Sequence, residues 1–112
     1  MKTAFRAACA ALLLASGLAL AYSSSDKDKL ESSGQCPGCN LYDVAYGERD
    51  FSNANLQGAN LASSAFYRTN FKKANLRGAD LSGSVFMLAD FTGADMTGAR
   101  TENTLFFLCS GR

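Results

Sequence analysis

The sequence predicts an all-β fold, a four-sided solenoid in which each coil lies over the equivalent residues of the next, and two periods predict it. From Leu41 onward a large apolar residue stands at every fifth position: Leu41, Tyr46, Phe51, Leu56, Leu61, Phe66, Phe71, Leu76, Leu81, Phe86, Phe91, Met96 and Phe106, broken only at Thr101. The residue types then repeat every 20 positions in the order Leu, Phe or Tyr, Phe, Leu, so that four five-residue units complete a coil and like stands over like. A strict period of five fits neither the 3.6-residue stripe of an amphipathic helix nor the alternation of a strand. Stacked repeats do fit it.

Taken in chain order, residues 1–21 read as a secretory leader. Lys2 and Arg6 stand at its head, an apolar run follows from Ala7 to Ala21, and Ala19-Leu20-Ala21 supplies a small-x-small cleavage site before Tyr22. The run is shorter than the ~20 residues that span a bilayer and is interrupted by Ser16 and Gly17, so no membrane anchor is expected after cleavage. Cys9 follows Arg6-Ala7-Ala8 rather than a lipobox, which argues against lipidation. The chain is therefore expected to be exported, to the periplasm or outside the cell.

Residues 22–35, rich in Ser, Asp and Lys, are expected to form a flexible polar segment. Residues 36–112 carry the solenoid. Its inward columns are Leu41/Leu61/Leu81/Thr101, Tyr46/Phe66/Phe86/Phe106, Phe51/Phe71/Phe91 and Leu56/Leu76/Met96, one for each side. Two residues before twelve of the fourteen column positions stands a small residue suited to a crowded inner corner, as at Ala54, Ser64, Ala74 and Ser84. Stacking coils at about 4.8 Å lets each satisfy the backbone groups of its neighbours.

Three of these units, Ala54-Asn55-Leu56-Gln57-Gly58, Ala74-Asn75-Leu76-Arg77-Gly78 and Ala79-Asp80-Leu81-Ser82-Gly83, resemble the pentapeptide-repeat family, whose consensus is Ala-Asp/Asn-Leu-x-x. The resemblance covers residues 39–108. It implies a right-handed quadrilateral β-helix, here of about 3.5 coils, with the central residue and the small residue two before it both pointing inward. It implies little about function, because a fold does not carry one. Val44 and Arg49 stand where a small residue belongs and Thr101 where Leu or Phe belongs, so the first and last coils are expected to be distorted caps.

Charge and chemistry exclude several functions. Of the 11 basic residues, Lys2 and Arg6 leave with the leader, so nine stand against ten acidic ones and the mature chain carries −1. Some members of the resembled family bind DNA gyrase as acidic mimics of DNA; near neutrality and a leader both argue against that role, and against nucleic-acid binding. The basic band of Arg68, Lys72, Lys73 and Arg77 lacks interleaved aromatics and is expected to pair with neighbouring acids. The chain has no histidine, so the commonest general base and metal ligand is missing. Asp80, Asp90 and Asp95 all precede a column residue and are read as structural. No catalytic residue, metal site or cofactor is expected.

Cys36-Pro37-Gly38-Cys39 is the sharpest local motif. In an exported chain it is expected to form a structural disulfide closing the N-terminal end, with thiol-redox activity and metal binding as the alternatives. Cys109 lies about three coils away, too far to bridge to either, and continues the small-residue register of Ala94, Ala99 and Thr104.

One side breaks the polar pattern expected of outward positions. Flanking the Tyr46/Phe66/Phe86/Phe106 column, the outward residues change from Ala45, Gly47 and Glu48 through Ala65, Tyr67 and Arg68 to Val85, Met87 and Leu88, then Leu105, Phe107 and Leu108. The last six would form an apolar patch of the size that marks an interaction site. The chain is thus expected to be a non-enzymatic scaffold or interaction protein whose partner, another protein or a second copy, docks on Val85, Met87, Leu88, Leu105, Phe107 and Leu108.

Overall fold

Four three-residue strands, β1 (Ala45–Gly47), β2 (Ala65–Tyr67), β3 (Val85–Met87) and β4 (Leu105–Phe107), form a parallel sheet in the order β1-β2-β3-β4. The computed structural model describes residues 21–111, so the expected leader lies outside the described residues apart from Ala21. Each strand pairs with the residues 20 positions on, as in Ala45↔Ala65, Ala65↔Val85 and Val85↔Leu105. The same offset governs three further rows of single bridges: Asn40↔Asn60↔Asp80↔Arg100, Asp50↔Asn70↔Asp90↔Ser110, and Gln35↔Asn55↔Asn75↔Asp95. Four parallel ladders five residues apart are the four sides that the sequence periods require.

The column residues fill the interior. Leu41, Leu56, Leu61, Phe66, Phe71, Leu76, Leu81, Phe86 and Phe91 are all buried. Identical neighbours in a column lead to stacked rings: Phe66 on Phe86 at 4.8 Å between centroids, Phe71 on Phe91 at 5.2 Å, and Phe86 on Phe106 at 5.3 Å. Adjacent columns meet edge to face, as Phe86 meets Phe91 at 5.2 Å, so the rings of the central coils sit in both stacked and edge-to-face contacts.

Polar atoms inside the coil are accounted for. The Ser64 hydroxyl accepts from the Val44 amide (3.1 Å) and donates to the Leu41 carbonyl (3.0 Å), and Ser84 accepts from the Ser64 amide in the same way (2.9 Å). A hydroxyl in this corner row replaces a backbone partner that the turn does not supply; Thr104 continues the row by donating to the Leu81 carbonyl (2.7 Å). On the rim, wherever Asn or Asp precedes a column residue it folds its side-chain oxygen onto the amide two residues later, as Asn70 does on Lys72 (2.9 Å) and Asp95 on Thr97 (3.0 Å). These turns close the corners.

Two expectations are corrected. The segment 22–35 is not a flexible tail: Ser24–Ser33 forms helix α1. Its Ser23 side chain accepts from the Asp26 amide, and Gly34, at φ 72°, closes the other end by returning its amide to the Leu30 carbonyl. Leu30, its one large apolar residue, is buried in the core. Nor is the first coil distorted at Val44 and Arg49. Val44 is buried and β1 pairs in the same register as the strands after it, while Arg49 turns outward and lays its guanidinium 5.2 Å from the Tyr46 ring centre.

Candidate interaction surface

The β1–β4 side is built by alternation: the middle residue of each strand points inward and its two neighbours point out. Outward residues therefore form two rows, Ala45/Ala65/Val85/Leu105 and Gly47/Tyr67/Met87/Phe107, followed at the corner by Glu48/Arg68/Leu88/Leu108. All three rows become more apolar from β1 to β4.

The structure places the six expected residues unequally. Leu108, Leu105 and Phe107 are 67%, 52% and 47% exposed, and Leu88 is also exposed, whereas Val85 and Met87 are half-buried. Together the four exposed residues make a ridge at the β4 end. Tyr67 belongs to the same surface and is itself exposed; the Arg68 guanidinium lies 5.6 Å from its ring centre and 3.6 Å from the Glu48 carboxylate.

The sequence reading missed the other half of the face. Ala45, Gly47 and Ala65 leave a shallow hollow of about 440 Å3, floored by Tyr46 and Phe66 and walled by Tyr67, Val85 and Met87. Its signal was present in the run of small outward residues on β1 and β2, but an apolar count registers large side chains and passes over the space between them.

The other sequence-predicted residues lie elsewhere. Cys36 and Cys39 are bonded to each other, with Cα atoms 5.4 Å apart, and are 0% and 4% exposed beneath α1; the Cys36 sulfur sits 3.2 Å from the Asp26 carbonyl oxygen. Cys109 is a free thiol at the opposite end, half-buried, with its Sγ donating to the Phe86 carbonyl (3.2 Å). Asp80 and Asp90 bind the amides of Ser82 and Thr92 in the same way that Asp95 binds Thr97. The Thr97 hydroxyl and amide, with the Arg77 guanidinium, pull the Asp95 carboxyl down to about 2. In the basic band, Arg77 pairs with Asp95 (3.0 Å), Lys72 with Asp90 (3.6 Å) and Arg68 with Glu48. Among the described residues no group of three or more Cys, Asp or Glu is placed to hold a metal ion, and no helix is long and apolar enough to cross a membrane.

A second polar cluster, also unread in the sequence, fastens α1 to the first coil. Glu31 accepts from Lys27 Nζ (2.6 Å) and from the Tyr46 hydroxyl (2.9 Å), with Arg49 3.9 Å away. The Lys27 hydrogen bond holds the Glu31 carboxyl below the usual range despite partial burial, while burial and the Glu31 contact push the Tyr46 phenol up.

Comparison with known proteins follows the same architecture. Residues 50–86 and 69–106 match the model for pentapeptide repeats, in eight copies, and together cover just over half of the chain. A search of the curated proteins finds no match. Among solved structures, the chain is similar to HetL, a pentapeptide repeat protein involved in heterocyst differentiation regulation from the cyanobacterium Nostoc sp. strain PCC 7120. The TM-score is 0.54 at 23% identity, over 64% of this chain and 29% of HetL, so the chain spans under a third of that protein's length. A pentapeptide repeat protein from the cyanobacterium Cyanothece 51142 aligns over 80% of this chain and 95% of its own, at 20% identity and a TM-score of 0.38.

Proposed function

Because the chain belongs to the pentapeptide-repeat family, we propose that it is an exported, non-enzymatic interaction module, a right-handed coil of about 3.5 turns that presents one apolar side to a protein partner. The observation that carries this reading is the ridge of Leu88, Leu105, Phe107 and Leu108, four large apolar side chains exposed together on one side. A soluble surface of this size seldom leaves such a cluster without a use. Phe107, the aromatic of the cluster, is the expected anchor.

The leader-like composition of residues 1–21 supports export, and the net charge of −1 without Lys2 and Arg6 speaks against mimicry of DNA. The near-complete burial of Cys36 and Cys39 supports a bridge that holds the end of the coil over a pair that exchanges with thiols.

A photo-crosslinking residue placed at Phe107 and, as a control, at exposed Lys73 on another side tests the proposal in intact cells. A discrete protein adduct is expected from Phe107 and not from Lys73. Equal adducts at both positions, or none at Phe107, would remove the face as a docking surface.

A further inference from the structure

The hollow and the ridge adjoin on one side of one molecule, the hollow's far wall of Val85 and Met87 lying beside Leu105 and Phe107, so the face carries a shape and its complement. Resting on the reading of this side as a docking surface, we infer that its occupant is a second copy of the chain, packed face to face with the two coil axes antiparallel.

The symmetry follows from the register. A two-fold axis parallel to the strands and centred between β2 and β3 reverses the order of the strands but keeps each residue's position along them. It sets β1 against the partner's β4 and β2 against the partner's β3. Gly47 then faces the partner's Phe107, Ala45 the partner's Leu105, Ala65 the partner's Val85, and Tyr67 the partner's Met87. On the outer strands the smallest outward residues, Ala45 and Gly47, meet the largest, Leu105 and Phe107, while Tyr67 and Met87 meet side by side at the centre; both halves of the contact are made twice, as an isologous interface requires. A two-fold axis along the coils would instead set ridge on ridge and hollow on hollow.

The fold itself does not demand the hollow. Gly47 has no left-handed backbone, and a Cβ added there meets nothing within 4 Å. The strands at the equivalent positions accept Met87 and Phe107, and Val85 and Leu105 stand where Ala45 and Ala65 do. Small residues on β1 and β2 therefore answer to something outside the coil. Glu48 and Arg68, paired with each other at 3.6 Å, would lie against the partner's Leu108 and Leu88, where their aliphatic stems can cover apolar surface while the charges remain in water.

Size sets the strength. Four strands at about 4.8 Å and roughly five residues at about 3.3 Å give a face of a few hundred Å2. That is below the ~800 Å2 per partner of a standard interface, so the dimer is weak and reversible.

Sedimentation equilibrium of the protein, expressed from the full chain and purified, tests this. Self-association should appear across the micromolar to millimolar range. Gly47→Glu alone and Phe107→Lys alone should each be monomeric, at least tenfold weaker in association. An equimolar mixture of the two should dimerise again, because one hollow then carries an acid opposite a base on the partner's ridge while the other contact is unchanged. Ala65→Glu mixed with Val85→Lys repeats the test at the second contact and replaces the first pair should Gly47→Glu fail to fold by circular dichroism. A wild-type protein that stays monomeric at about 1 mM overturns the dimer, as does association without recovery on mixing. If the Phe107 crosslink meanwhile forms with a different protein, the docking face stands and only the identity of its occupant falls.

Discussion

The two ends of the coil are built from the same repeat and finish differently. At the N-terminal end α1 lies over the first coil: Leu30 enters the core, Asp26 accepts from the Asn40 amide (2.8 Å), and the Ser23 amide donates to the Asn40 carbonyl (3.0 Å). Leu41, Val44 and Tyr46 are buried as deeply as residues of the central coils. At the C-terminal end Thr101 is exposed, and Ala94, Met96, Phe106 and Cys109 are only partly buried. The amides of Leu76, Gly78, Leu81 and Gly83 donate to Asp95, Thr97, Arg100 and Glu102. For Met96, Gly98, Thr101 and Asn103, their equivalents, no further coil follows among the described residues. A repeat can bury its own face only against a neighbour, so burial at an end is decided by the lid rather than by the repeat.

The largest test of this contrast compares equivalent rings. Phe86→Ala, in the central stack, should cost about 3–5 kcal/mol; Phe106→Ala, one coil on at the open end, should cost about half as much. Urea denaturation measures both, and equal losses would mean that the C-terminal end is covered as well as the middle. Next in size, Leu30→Ala should destabilise by roughly 2–3 kcal/mol and raise hydrogen exchange first at the amides of the opening coil, between residues 36 and 46. Uniform exchange along the chain would show that α1 is an ornament and not a lid.

The smallest effect is expected from pH. The Glu31 carboxyl titrates below its ordinary value in the folded protein, mainly through Lys27 and with help from the Tyr46 hydroxyl, against the opposing effect of burial. A depressed folded value means that its contribution is complete above the ordinary carboxylate range, about 4.3, and is lost as pH falls through the folded value. Helix docking, followed by the Tyr46 ring resonances, should therefore loosen below about pH 4 by no more than ~1 kcal/mol. Glu31→Gln should already be loosened at pH 7 and should respond less to acid. A wild-type protein unresponsive between pH 6 and 3 would show that Leu30 alone carries the lid.

What could be read from the sequence divides along the same line. The columns were legible because inward positions obey one rule at thirteen of fourteen places, and a residue such as Phe86 declares its place by its distance from Phe66 and Phe106. Helix α1 was not, because Ser24–Ser33 contains a single large apolar residue and its composition is that of a solvated segment. Its local signals, Ser23 with Asp26 at the start and Gly34 at the end, are ones that a search for periods does not weigh. Arg49 misled for a related reason: as a repeat residue it is an exception, but as a partner of Tyr46 and Glu31 it belongs to the lid. On the docking face, the ridge was visible as residue types. The hollow is a relation between three strands and the lie of Tyr67 and Met87, which no one-dimensional pattern contains.

The 20-residue register also restricts how such a chain can change its length. Every fifth residue at the corners adopts a left-handed backbone, including Asp43, Glu48, Asn53, Ser63, Arg68, Lys73, Leu88, Asn103 and Leu108. A single inserted residue would carry every later corner out of step, and a five-residue insertion would turn all later sides by a quarter. Inserted between β2 and β3, those five residues would swing Val85, Leu105 and Phe107 away from the side that holds Ala45 and Gly47. Duplicating a whole coil would leave every side in place and only move the ridge farther from the hollow. Growth in this protein is therefore quantised, with one quantum that alters which faces coexist and another that alters only their spacing.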